Sequence, residues 1–290
     1  MNRRAILSLG DGKYFGRALI AVASAGLFDD ADLWIFGWPS SSVEHLPGTI
    51  HFGSIVQVMR EFGRSIRPSF FHPYFWRYGC LLWLMRQGYE QVLSLDSDCL
   101  MVDHVPEMWD AADHNGIAAC RDISTDMPQD LVPPGDGPFR ATLAAAIARS
   151  GPEIRDRLFR LIGLTDADGG HPYVNAGVLA LNSHPTMTAL LHDYLEYALR
   201  CGSFMRRLTW PDQDLLNALL AKRGIRADML NPSEYNFFPD LGDDKRILHW
   251  AGEAHDGILH LWRPYRPLID QALRRLDTTL DAVVEQFPVE

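Results

Sequence analysis

The sequence predicts one α/β domain. Two observations carry that expectation. The chain opens with a buried strand, Arg4 to Leu9, a turn through Gly10, Asp11 and Gly12, a helix from Tyr14 to Ala25, and a second strand, Leu33 to Gly37. Strand, turn, helix, strand is the opening of a nucleotide-binding α/β unit. Further on, the apolar and β-branched run at the start of QVLSLDSDCLMVD, Gln91 to Asp103, reads as a strand that ends abruptly on Asp96, Ser97 and Asp98. Ligands of α/β sheets bind in the crevice at the carboxyl ends of the strands, so these carboxylates stand where a ligand is expected.

The remaining elements follow from periodicity and from breakers. Ile50 to Arg60 reads as a third strand and its exit. Pro68 and Pro73 bracket an aromatic cluster that runs into a helix from Tyr74 to Gln87, ended by Gly88. Val105 to Trp109 reads as a short helix and Gly116 to Cys120 as a strand. Residues 121 to 140 are rich in Pro, Gly and Asp; a stretch this long without periodicity is either disordered or a functional lid. Helix returns over 141 to 163. Tyr173 to Asn182 reads as a strand in which Gly177 marks a bulge or the close approach of a ligand. Met187 to Arg200 is an amphipathic helix. Asp212 reads as the cap or first turn of the next helix, with compensation of the helix dipole as the structural reading of Asp212 and Asp214. Arg246 to Trp250 is a last short strand, and residues 267 to 286 a C-terminal helix. With no repeat and no linker, residues 1 to 290 read as one domain, about 1 to 110 forming the nucleotide-binding half and about 111 to 290 the other.

Composition narrows the function. A hydrophobic content of 47% over 290 residues supports a sizeable core. The formal net charge of −10 argues against nucleic acid and anionic membrane surfaces as main partners. Cys80, Cys99, Cys120 and Cys201 form no Cys-x-x-Cys pair, which points to reduced thiols. The apolar run after Arg3 and Arg4 is too short for a signal-peptide core, and no run approaches a membrane span. A cytoplasmic protein is the expectation.

Asp96 and Asp98 are one residue apart; in extended backbone both point to the same side. Two carboxylates there are costly unless a cation lies between them, and a hard divalent ion suits oxygen ligands. Gly10 and Gly12 do not complete a dinucleotide fingerprint, because Phe15 takes the third glycine position. Tyr14 is placed to stack on a base. Arg77 lies on the helix leading into the Asp-x-Asp strand, within reach of a phosphate.

Four motifs now stand in order: LSLDSD, YVNAGVLALN, DQDLLN and ILHWAG. Together they resemble the family 8 glycosyltransferases over roughly residues 4 to 255. The resemblance implies a GT-A fold, a Rossmann-like nucleotide-diphospho-sugar transferase domain with a mixed central sheet flanked by helices. It implies transfer of a hexose from a UDP-sugar, with retention, to an acceptor (saccharide, lipid-linked or protein) that the sequence does not identify. It implies Mn2+ or Mg2+ held by Asp96, Asp98 and His249, with Asp96 shared between metal and ribose. Asn175, Asp212 and Gln213 would surround the donor sugar, Asp212 and Gln213 being the catalytic candidates. Gly10 and Tyr14 would lie near the uracil, and Arg77, Ser97, Ala176, Gly177, Gly252 and His255 complete the donor-binding set. The family continues from His-x-x-Gly to Lys-Pro-Trp; here His255 stands at the lysine position, with His260 and Arg263 as nearby cations. Two rivals remain: a haloacid-dehalogenase-type phosphatase, for which Leu100 stands where Thr or Val is wanted, and a non-catalytic nucleotide-sugar-binding protein on the same scaffold.

Overall fold

The computed structural model describes residues 3–10, 12, 14–38, 46, 48–63, 76–122, 174–200, 211–235, 244–250 and 258–287. Strands β1 (Arg4–Leu9), β2 (Asp32–Gly37), β3 (Ile50–Ser54) and β4 (Gln91–Leu95) run parallel, with helix α1 (Tyr14–Ala25) crossing between the first two. A long strand, β7 (Val174–Asn182), lies antiparallel to β4 and to β6 (Ile117–Arg121). A short edge strand, β8 (Asp228–Leu230), pairs parallel with β6, so the seven-stranded sheet has the order β3-β2-β1-β4-β7-β6-β8. The sheet is therefore mixed, as the family resemblance implies. A separate two-stranded ribbon joins β5 (Cys99–Met101) to β9 (Ile247–His249).

Alternation along the strands divides the core into two layers. On β1, Ala5, Leu7 and Leu9 face a layer shared with α2 (Ile55–Glu61), α3 (Trp76–Arg86), α5 (Pro185–Arg200) and α6 (Pro211–Arg223). Ile6 faces the other layer, shared with α1, α4 (Pro106–Asn115), α9 (Arg266–Arg274) and α10 (Leu280–Gln286). Phe15 to Ala25 are all buried, because α1 is enclosed between the sheet and the C-terminal helices.

Three boundaries differ from expectation. Ile50 to Arg60 is only in part a strand: Ser54 ends β3, and its side chain accepts from Gln57 N at 3.4 Å, capping α2. The helix expected at Val105 to Trp109 continues to Asn115, and Gly116 closes it at φ 86°. The helix expected over 267 to 286 is two helices. Asp277 at φ 54° breaks it, and Thr279 caps α10 by accepting from Ala282 N. The ribbon strands, β8, α7 (Pro232–Tyr235) and α8 (Ile258–Trp262) are too short to carry a period. The 121 to 140 stretch beyond Asp122, the 141 to 163 helix, Cys201 and most of the aromatic cluster before Trp76 lie outside the described residues. Cys80, Cys99 and Cys120 are buried free thiols. No helix among the described residues is long and apolar enough to cross a membrane.

Candidate active site

The site forms where β4 ends beside β7. Leu95 pairs with Val178, and Asp96 N donates to Gly177 O at 2.8 Å. The backbone then leaves the sheet: Cys99 N donates to Asp96 O at 3.1 Å, closing a turn into β5. Asp96 and Asp98 thus converge through a turn and not through extended backbone, which corrects the sequence reading. Across the ribbon Cys99 pairs with His249, and Trp250 N donates to Asp98 O at 3.2 Å. His249 Nε2 ends 3.4 Å from Asp98 Oδ1 and 3.5 Å from Asp96 Oδ2.

Gly177 lies at a bulge. Ala119 pairs with Leu179, but the next pair is Arg121 with Val174. Along β7 the side-chain alternation inverts there: Val174 and Ala176 face one core layer, Val178 and Ala180 the other. The close neighbour predicted for Gly177 is protein: a Cβ on it would lie 2.1 Å from His249 Cε1 and 2.8 Å from Asp96 Oδ2. Gly10 has a similar reason, since a Cβ there would meet Phe15 Cα at 2.9 Å and α1 could not pack so closely. Tyr14 opens α1, half-buried, with the Arg17 guanidinium 5.3 Å from its ring centre. Ser97 is half-buried within the Asp96–Asp98 turn.

Arg77 is buried on α3 and donates both to the Asp96 carboxylate and to Ala176 O. It therefore ties the Asp-x-Asp turn to β7 and supplies a cation that the sequence reading assigned to phosphate. Burial, the largest influence on Asp96, pushes its carboxyl up, but Arg77 and then His249 outweigh it and hold it below the usual range. For His249 burial favours the neutral ring, yet the Asp98 and Asp96 carboxylates together raise it to about 10. The thiol of Cys99 is held well up by burial and then by the charges on Asp98 and Asp96.

DQDLLN and YVNAG form one hydrogen-bonded unit. The Gln213 side chain accepts from Ala176 N at 2.9 Å through Oε1 and donates through Nε2 to Asp122. Asn217 accepts from Val174 N at 2.7 Å and donates to Val174 O at 2.9 Å. Asn175 Oδ1 accepts from Gly177 N at 2.8 Å. Asp212 to Leu220 are all buried, so Asp212 and Asp214 are not a solvated, dipole-compensating first turn. Burial raises the Asp212 carboxyl to about 6, with Arg77 lowering it and Asp96 raising it. Its carbonyl accepts from Tyr194 OH at 3.3 Å, and Tyr194 stacks on Tyr78 at 3.8 Å between ring centres.

Asp122 and Cys99 belong to this region and were missed from the sequence. Asp122 directly follows β6 and Cys99 follows Asp98, but nothing local marks either. Gly252 and His255 lie outside the described residues. His260 lies on α8 and Arg263 directly follows it.

The donor atoms fit a divalent cation. Asp98 Oδ1 is buried and accepts no hydrogen bond among the described residues. Two carboxylates and an imidazole are ligands such ions accept, and the missing side chain at Gly177 lets the imidazole and the Asp96 carboxylate come together. Such an ion would compete with the proton on His249.

No protein-family model matches the sequence, and no curated protein does. Solved structures do match in fold. The galactosyltransferase LgtC, solved with donor and acceptor sugar analogues, superposes with a TM-score of 0.58 at 18% identity, covering 98% of this chain and 100% of that one. Mouse xyloside xylosyltransferase 1, in its apo form, gives 0.54 at 13% identity, covering 87% and 98%. The glycosyltransferase GlyE of Streptococcus pneumoniae TIGR4 gives 0.53 at 15% identity, covering 99% and 63%. The chain has the GT-A glycosyltransferase fold. Nothing in the fold supports the phosphatase rival.

Proposed function

We propose that the chain is a metal-dependent glycosyltransferase, akin to family 8, that moves a hexose from a UDP-sugar to an acceptor hydroxyl with retention of configuration. The observation that carries this reading is the convergence of Asp96, Asp98 and His249 beside Gly177, at the carboxyl end of β4. Asp98, His249 and Asp96 would hold Mn2+ or Mg2+. Bound there, the ion supplies Lewis-acid stabilisation of the charge that develops on the departing diphosphate.

The chain's own residues have separable tasks. Arg77 fixes the Asp96 carboxylate and the Ala176 carbonyl relative to each other. Gln213 and Asn217 lock the Val174–Gly177 segment onto α6. Retention needs a nucleophile on the opposite sugar face or same-face attack assisted by the leaving phosphate. Asp212 suits the first route better than Gln213, whose amide is engaged at both ends. Its carboxyl, raised to about 6, is still ionised above neutrality. The acceptor is a saccharide, a lipid-linked sugar or a protein.

Calorimetry of UDP binding tests this. Affinity should rise with Mn2+ or Mg2+ relative to EDTA, because Arg77 and His249 do no more than offset the two carboxylates, and a bound ion adds the positive charge that faces the diphosphate. Equal affinity in both conditions removes the metal, and no turnover of any UDP-hexose removes the transferase.

A further inference from the structure

Cys99 is the residue of this cluster to which the reading above gives no task. It follows Asp98 directly and pairs in register with His249 across the ribbon. Directly opposed residues of antiparallel strands project to the same face, which brings the thiol to the imidazole. The ligand atoms of Asp98, Cys99 and His249 all lie within 4.8 Å of one another. Cys99 Sγ is also 3.9 Å from Gly177 O. Position 177 carries no side chain, and a Cβ there would stand 2.7 Å from His249 Nε2.

We propose that Cys99 is a metal ligand which, with Asp98 and His249, forms a mixed oxygen, nitrogen and sulfur set favouring thiophilic divalent ions such as Zn2+ and Co2+ over Mg2+. The inference rests on the reading of Asp98 and His249 as metal ligands. Carboxylate and water sets suit Mg2+ and Mn2+, whereas thiolate joined to imidazole suits the later transition ions. The charges agree. Arg77 offsets the charge of Asp96, so Asp98 and a Cys99 thiolate supply the two remaining negative charges that balance a divalent ion, with His249 neutral. Coordination forms the metal–sulfur and metal–nitrogen bonds, breaks the Cys99 S–H and the His249 imidazolium N–H, and releases both protons to solvent.

The test is Co2+ titration of the metal-free full-length protein, followed by absorption. The wild type should show a near-ultraviolet thiolate-to-cobalt charge-transfer band beside the visible d–d bands. Cys99→Ser and Cys99→Ala should keep d–d bands and lose the charge-transfer band. Their Zn2+ affinity, read by competition with a chelating dye, should fall by at least about tenfold, while Mg2+ affinity stays within about twofold of wild type. Circular dichroism and melting of the metal-free variants check folding, and the wild-type band needs no variant at all. Wild-type protein that takes up Co2+ without a charge-transfer band overturns the role of Cys99 and leaves Asp98 and His249 as ligands. Unchanged Zn2+ affinity in both variants does the same. Wild-type protein that takes up no divalent ion overturns both this inference and the metal site it rests on.

Discussion

Gly177 and His249 stand too close for any side chain at position 177: a Cβ there would lie 2.1 Å from Cε1 and 2.7 Å from Nε2 of the imidazole. The ring is anchored on β9 and cross-strand from Cys99, so it has little room to withdraw. The bulge in β7 is what lets the backbone pass this near.

Gly177→Ala should therefore destabilise the protein by about 1–3 kcal/mol through overpacking and weaken divalent-ion binding. Thermal melts of the metal-free protein and calorimetry with Mn2+ check both. An alanine variant that melts and binds like wild type would mean that the imidazole swings aside freely.

Asp98→Asn should lower turnover of a UDP-sugar by two or more orders of magnitude, about 3 kcal/mol of transition-state stabilisation. From the sequence alone, removing one of two neighbouring carboxylates would leave stability level or raise it. The structure reverses that expectation, because His249 lies 3.4 Å from Asp98 and Arg77 bonds Asp96. Metal-free Asp98→Asn should melt somewhat lower than wild type. Intact turnover in the variant would make Asp98 structural.

Arg77→Leu should cost about 3–5 kcal/mol, since it leaves the Asp96 carboxylate without its buried partner. Adding Asp96→Asn should recover part of that loss. Denaturant unfolding of the two single variants and the double variant measures the coupling; additive losses would show that the pair contributes nothing of its own.

Asp212 makes a pH prediction. Its folded carboxyl is raised from 3.8 to about 6, chiefly by burial. A group raised on folding contributes stability that is full below its unfolded value and is lost as pH rises through the folded one. The wild type should lose up to about 3 kcal/mol from this residue between pH 4 and pH 7. Asp212→Asn should flatten that slope, be more stable than wild type at pH 7, and lose turnover. Parallel pH–stability curves for the two proteins would remove Asp212 as the source.

Much of the frame was legible in the chain. The bounds of β1, α1 and β4 follow from apolar runs and glycine turns, because each is long enough to show its period and each is buried by local pattern alone. The positions of the Asp-x-Asp pair, the irregularity at Gly177 and the start of α6 could be located for a similar reason: each interrupts a pattern that would otherwise continue. What pairs with what could not be located. The Gln213 contacts to Ala176 and Asp122 join three elements distant in sequence, and no local pattern encodes a hydrogen bond between them.

The sequence by itself determined which residues break the apolar pattern and so must find polar partners: Asp96, Asp98, Asp212, Gln213 and His249. It also determined the α/β alternation that sends strand ends to one edge. Only the tertiary structure decided the partners. Arg77 is on Asp96, Gly177 makes room for His249, and Cys99 comes to the imidazole through a three-residue ribbon too short to show a period. The physical reason is that burial is encoded residue by residue in local hydrophobicity. Charge pairing in a low-dielectric interior depends on distances between segments, and those are fixed only when the whole chain packs.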